Sequence, residues 1–198
     1  MDASKVIWFD THYLKDYKDD PEQVYLSHSY LKTFIGDKSI YNIEPINEEY
    51  FNKYIKNRNF CCREQWLIIH KGLIFSNNQN INHNLKLVEE ILFTHVHKEF
   101  RKLESEFKFT NTDLLVWNDF KYKIAVNGAY LQFTFDKHFK KYLLHTDDKL
   151  IVYSNRSDSE WGIGCNYNDL VINNFTYTGQ NLYGLVLMEV RNIIKSKI

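Results

Sequence analysis

A mainly α-helical domain with small β elements is the fold class this sequence predicts, and three observations predict it. Glycine (7) and proline (2) are scarce in 198 residues, which argues against turn-rich β architectures and low-complexity linkers. Apolar residues recur every three or four positions over 81–108, 117–144 and 181–195, the period of an amphipathic helix. No fixed-period repeat and no linker divides the chain, so a single domain over 1–198, with a core of about 24–195, is expected.

The elements follow in order. Residues 11–23 carry Asp16, Asp19, Asp20 and Glu22 around Pro21 and read as a surface loop, and 24–43 read as a short hairpin or irregular β segment. After Pro45 the pattern turns helical: Asn47 can cap a first turn with Glu48 and Glu49, and Tyr50 and Tyr54 share a face. Cys61 to Phe75 fit a helix interrupted only at Gly72, with Glu64, Ile68, Lys71 and Phe75 on one side. At 1.5 Å rise per residue Glu64 and Lys71 lie about 10 Å apart along the axis, too far for a local pair but placed to line one cleft. Residues 81–108 read as one long helix whose inward stripe is Ile81, Leu85, Val88, Leu92, Val96, Phe100, Leu103 and Phe107. One or two helices follow over 117–144, with Phe120, Ile124, Leu131, Phe135, Phe139 and Leu143 facing in. A turn at Asp147 and Asp148 leads to a strand at Leu150–Tyr153, and a last helix runs from near Asn181 to about Lys195.

Composition narrows the function classes. Lys+Arg and Asp+Glu are balanced at 25 each, so no global basic field drives nucleic-acid binding, and such contact would need a local patch. Lys53, Lys56 and Arg58, with Lys137, Lys140 and Lys141, are the local basic clusters. Three cysteines, Cys61, Cys62 and Cys165, form neither a disulfide framework nor a zinc spacing. With no signal-peptide core and no apolar run of membrane-spanning length, a reducing compartment is expected, the cytoplasm first and the nucleus second, with no membrane partner. The eight histidines include no HExxH, and His95 and His97 diverge on a helix, so no metal is expected. No GxGxxG, GxxxxGK[ST] or GxSxG occurs, which removes the main signals of dinucleotide folds, P-loop enzymes and α/β-hydrolases, and no cofactor is expected.

Four of the seven glycines fall in two stretches, Ser157 to Gly164 and Gly179 to Gly184, the second running into Leu187-Met188-Glu189-Val190-Arg191. Asp158 three residues before Trp161 suits a sugar or base pocket, a carboxylate for hydroxyls and an indole for stacking; a tight loop with a capping Asp is the plain alternative. The set resembles the NADAR family, also called YbiA-like, of N-glycosidases linked to NAD and ADP-ribose chemistry. The resemblance rests on Leu26-Ser27-His28-Ser29-Tyr30, Glu64-Gln65 with Lys71-Gly72, Trp117, Asp158 to Gly162, Gly179 to Gly184 and Leu187 to Arg191, and covers about 26–195. His28 stands where the family has Asn, and Gln132 before Phe133 where it has the Lys of a Lys-Phe pair.

The resemblance implies a mainly α YbiA-like fold and cleavage of an N-glycosidic bond between a ribose and a nitrogen base. The implied substrates are ADP-ribosylated guanine in DNA or RNA, or a ribosyl-phosphate intermediate of the riboflavin pathway. Glu64 and Asp158 are the candidate carboxylates for oxocarbenium stabilisation and acid–base work. Lys71 is either a cation for a phosphate or ribose oxygen or, if apolar Ile68 and Phe75 lower its pKa, a Schiff-base nucleophile. Ser27, His28, Trp117, Trp161, Gly162, Asn181 and Arg191 are candidate substrate contacts. In this scheme the first amides of the last helix bind phosphate beside Asn181, and Arg191 pairs with Asp158 or binds phosphate. Two alternatives stay open: an ADP-ribose-binding module impaired at His28 and Gln132, and a nucleic-acid-associated interaction domain.

Overall fold

The computed structural model describes residues 5–10, 20–77, 79–172, 174 and 176–198. Residues 11–19, most of the expected acidic loop, lie outside the described residues. The elements in chain order are β1 (Val6–Phe9), a 3-10 turn (Pro21–Leu26), β2 (Phe34–Ile35), α1 (Glu48–Tyr50), a π turn (Phe51–Ile55) and β3 (Asn59–Phe60). Then come α2 (Arg63–Phe75), α3 (Ile81–Phe93), α4 (His97–Glu104), α5 (Asn111–Phe135), α6 (Lys137–His145), β4 (Leu150–Tyr153), α7 (Tyr167–Ile172) and α8 (Leu182–Lys195). Helices dominate and the strands are short, as the sequence predicts. The chain divides into two compact units, Met1–Tyr30 with Asp136–Ile198, and Leu31–Phe135.

The first unit is built on a parallel pair, β1 with β4, in the register Val6↔Leu150 to Phe9↔Tyr153. β1 is not anticipated by the sequence reading. Two parallel strands cannot stand alone, and α8 covers them with buried Val186, Leu187 and Val190. Asn181, just before α8, has φ 55° and brackets β4. Its Oδ1 accepts the Tyr153 N–H (2.9 Å) while its Nδ2 donates to the Ile151 carbonyl (2.9 Å). Gly184 follows because a Cβ there would meet Ile151 O at 2.1 Å. In α6, Asp136 caps the helix by accepting N–H bonds from His138 and Phe139. Tyr25 stacks on Phe139 with ring centroids 4.4 Å apart.

The second unit surrounds α2, which is buried on nearly every side because α3, α4 and α5 all pack on it. The helix runs unbroken through Gly72, where a Cβ would meet Phe107 at 2.5 Å and Val88 at 2.6 Å. Of the two readings of 24–43, a hairpin or an irregular β segment, the hairpin does not form: the segment holds one short strand, β2, which pairs with the distant β3, antiparallel, in the register Phe34↔Phe60 and Ile35↔Asn59. Asn47 caps α1 as expected, its Oδ1 accepting the Tyr50 N–H at 2.8 Å. The single helix expected over 81–108 is two, α3 and α4. Gln65 of α2 donates its Nε2 to the Ile91 (2.8 Å) and Thr94 (3.1 Å) carbonyls, so the acceptors at the end of α3 are satisfied from outside and the chain turns. The buried residues of α3 are Asn84, Leu87, Val88 and Ile91; of the predicted stripe Val88, Phe100 and Phe107 are buried, whereas Val96 is exposed. Likewise α5 begins before residue 117: Thr110 and Asp113 cap each other at its start, and Phe135 at its end is exposed.

Candidate functional site

Glu64, Lys71 and Trp117 belong to the unit Leu31–Phe135, and the other sequence-predicted site residues to the unit that contains both termini. On α2, Glu64 is 8% exposed, and two side chains of α4 donate to its carboxylate. His97 Nδ1–H reaches Oε2 at 2.8 Å and Arg101 Nε–H reaches Oε1 at 3.2 Å. Two turns on, Lys71 Nζ donates to Glu104 Oε1 at 2.7 Å and lies 5.8 Å above the Trp117 ring centre. Lys71 is thus ion-paired with Glu104, an arrangement suited to the cation role named for it above.

His97, Arg101 and Glu104 were missed by the sequence reading. Their spacing, four and then three residues, puts them on one face of α4, and their charge order complements the Glu64 and Lys71 face of α2. That complementarity was the available signal, but it is informative only once α4 is known to be a separate helix docked on α2.

Just ahead of Glu64, the Cys61 and Cys62 sulfurs lie 3.9 Å apart. The hydrogen bond from Cys62 pulls the Cys61 thiol down to about 6 against its burial, with help from His95. Cys62 moves the other way, pushed well up by burial.

In the unit Met1–Tyr30 with Asp136–Ile198, Tyr183 of α8 organises the aromatic residues. His28 stacks on it (4.3 Å between ring centres, 14° between planes) and Trp161 packs against it at 4.7 Å. Tyr153 meets the same ring edge-on at 5.8 Å. The structure thus brings two predicted residues, His28 and Trp161, onto a ring that the sequence reading had not singled out. Ser27 is buried and its hydroxyl lies 3.0 Å from that of Ser29.

The two glycine-rich stretches pack backbone on backbone. The Asp158 carboxylate oxygen Oδ1 accepts the Glu160 (3.1 Å) and Trp161 (2.8 Å) N–H groups, the capping role named as the plain alternative. Oδ2 has no partner among the described residues. The carbonyls of Glu160, Trp161 and Gly162 accept the N–H groups of Leu182, Tyr183 and Asn181. Gly179 lies so close that a Cβ there would meet Gly162 O at 2.5 Å.

These contacts correct three expectations. The first two amides of α8, Leu182 and Tyr183, are spent on the Glu160 and Trp161 carbonyls, so these two hold a loop. Asn181 uses both ends of its amide on β4 and is 1% exposed, so it is a sheet clamp. Arg191 does not pair with Asp158: its Nη1 donates to Thr146 Oγ1 (2.8 Å) and Lys149 O (2.9 Å), tying α8 to the turn after α6. Burial lowers its pKa from the usual arginine value. Gln132 is buried and donates to the Lys32 carbonyl at 2.8 Å.

Comparison with known proteins gives the chain's relatives. The NADAR domain family model matches residues 16–195. The protein named N-glycosidase R617 of Acanthamoeba polyphaga mimivirus is 28% identical over 149 residues, 75% of this chain and 79% of that protein. The NMR structure of the E. coli protein YbiA aligns with a TM-score of 0.64 at 14% identity, covering 100% of this chain and 89% of that one. At that identity the likeness concerns the fold.

Proposed function

This chain belongs to the NADAR domain family, and from that premise we propose that it is an N-glycosidase, cleaving the bond between a ribose C1′ and a base nitrogen. A relative that carries the name N-glycosidase supports the reaction class. The single observation that carries the residue assignment is Glu64: a buried carboxylate, bonded to both His97 and Arg101, on the helix that also presents Lys71.

In the proposed reaction the C1′–N bond breaks with its electron pair going to the base nitrogen, which takes up a proton from solvent. The sugar becomes oxocarbenium-like, and water adds at C1′ as its proton passes to a carboxylate. Glu64 faces the developing positive charge and accepts the proton of water. The His97 and Arg101 bonds fix its plane and compensate its charge while it is buried. The Lys71 ammonium binds a phosphate or ribose oxygen, with Trp117 as the wall beside it. The substrates proposed are ADP-ribosylated guanine in DNA or RNA, or a phosphorylated ribosylamino-pyrimidine of the riboflavin pathway. Neither needs a metal or organic cofactor in this scheme, and both place the protein inside the cell.

Mass-spectrometric turnover of both substrates by the wild type and by Glu64→Gln is the test. Release of free ADP-ribose or ribose phosphate, falling about 100-fold or more in the variant, is expected. No release from either substrate by the folded wild type overturns the enzyme reading. Retained ADP-ribose binding in that case selects the impaired binder, a reading favoured by the aromatic His28 filling the stack on Tyr183.

A further inference from the structure

Within the unit Leu31–Phe135, the chain between β2 and β3 does not make a tight turn but wraps a cavity of about 580 Å³ against α2 and α5. That volume lies within the roughly 300–1,000 Å³ of small-molecule sites. Its contacts on α2 are Trp66 and His70. At 100° per residue these lie about 130° around the helix from Glu64 and Lys71, so the cavity opens on a different face from the one proposed for glycosidase chemistry.

The wall is preformed. Asn127 of α5 clasps the backbone of Tyr41 through both ends of its amide, accepting the Tyr41 N–H at 2.8 Å and donating to its carbonyl at 2.7 Å. Trp66 is held by donating its indole N–H to Ile124 O at 2.8 Å. Tyr41, Phe51 and Trp66 supply aromatic surface, with isoleucines between them.

Two polar groups in this lining are unspent. His70 is 2% exposed and donates Nδ1–H to Trp66 O at 2.8 Å, which makes Nε2 the lone-pair nitrogen. Burial lowers its pKa to about 4, so the ring stays neutral and Nε2 stays an acceptor. Nε2 has no partner among the described residues, and neither does the buried hydroxyl oxygen of Ser39. Buried polar atoms are nearly always bonded, so the Ser39 hydroxyl calls for a partner, and His70 in the same lining offers an accessible acceptor beside it. The mouth carries Asp37, Glu44 and Glu48 against one cation, Lys38, whose ammonium lies 5.5 Å over the Phe51 ring. The site is thus rich in acceptors, flat-walled and negative at its rim.

We propose that this cavity binds an uncharged amino-substituted heterocycle, a nucleobase or nucleoside without phosphate, whose N–H groups donate to His70 Nε2 and Ser39 Oγ. Aromatic walls accept its plane, and the acidic rim rejects phosphorylated forms. The site is separate from the one proposed for catalysis.

The test is titration of the full-length protein by isothermal calorimetry and ligand-observed NMR with adenosine, purine riboside (the same nucleoside without the amino group) and adenosine 5′-monophosphate. Adenosine is expected to bind, with purine riboside and the monophosphate each at least about tenfold weaker. His70→Phe and Ser39→Ala should each weaken adenosine severalfold or more, and Glu44→Lys should recover monophosphate binding. Glu64→Gln should leave adenosine affinity unchanged. The proposal is overturned if the wild type binds no adenosine at millimolar concentration. Equal adenosine affinity in wild type and Ser39→Ala and His70→Phe proteins of native circular dichroism overturns it too. Loss of binding in Glu64→Gln overturns it as well, since the ligand would then occupy the other face; turnover in that variant is read separately, so the two sites fail independently.

Discussion

His97 donates its Nδ1–H to Glu64 Oε2 across 2.8 Å, so a carboxylate of α2 is oriented by a histidine that enters from the first turn of α4. The bond joins residues 33 positions apart, and with the Arg101 contact at 3.2 Å it fixes the plane of the carboxyl group from both oxygens. A carboxylate held this way has a fixed plane, and its orientation depends on where α4 docks.

His97 and Arg101 are accordingly expected to act as positioning residues. His97→Ala and Arg101→Ala should lower kcat by about tenfold to 100-fold while KM changes little, because the oriented carboxylate matters chiefly in the transition state. His97→Gln, which keeps an N–H donor, should recover part of the loss. Steady-state kinetics on the substrate found by mass spectrometry check this. A variant that raises KM alone would assign these residues to ground-state binding instead.

Cys61 should be the reactive thiol of the pair. With its thiol pulled to about 6, alkylation by iodoacetamide should rise with pH through a midpoint near 6 and level off by neutrality. Cys62, fully buried and pushed the other way, should stay unlabelled in the native protein. Cys62→Ala removes the hydrogen bond that lowers Cys61, so the midpoint should move up toward the usual thiol range. Peptide mass spectrometry after timed labelling reads both sites.

The helices were legible because their apolar residues repeat at helical spacing, and the Asn47 cap because capping is local chemistry. What was not legible depends on residues far away in sequence. Nothing at 94–96 breaks a helix by itself: there is no Gly or Pro there, and the break is made by Gln65, nearly thirty residues earlier. β1 is four apolar residues with no alternation, a strand only because β4 offers parallel partners. At the site, Glu64 and Lys71 stood out by motif and by their shared helix face, but their α4 partners did not. Asn181 shows the converse error. Its motif position suggests a ligand contact, whereas its amide oxygen and nitrogen each bond the β4 backbone.

Gly184→Ala should destabilise the protein, reversing the usual sign. In a helix Ala is favoured over Gly by about 1 kcal/mol. Here the added Cβ would lie 2.1 Å from the Ile151 carbonyl oxygen and 2.4 Å from the Asn181 amide, so α8 must lift off β4 or the clamp must break. A loss of about 1–3 kcal/mol is expected by urea denaturation. A neutral or stabilising result would mean that α8 has room to move on β4.

His70 makes stability depend on pH. Its native pKa of about 4 is below the ordinary histidine value of 6.5, because burial beside Trp66 disfavours the charged ring. Between those values the unfolded chain binds a proton that the folded chain does not, so the unfolded state gains as pH falls, and native stability drops from pH 6.5 down to about 4. The full effect is about 3 kcal/mol, at 1.36 kcal/mol per pKa unit. Phenylalanine keeps the ring volume but cannot be protonated. In His70→Phe the slope of stability against pH across this window should therefore flatten by about one proton relative to wild type, whatever the variant does to stability at neutral pH. Urea melts at half-unit steps from pH 4 to 7 measure the slope directly. Parallel curves for the two proteins would mean that the His70 ring is reached by solvent and protonates without unfolding. The lone pair on Nε2 would then be shared with water in the cavity and not reserved for a ligand.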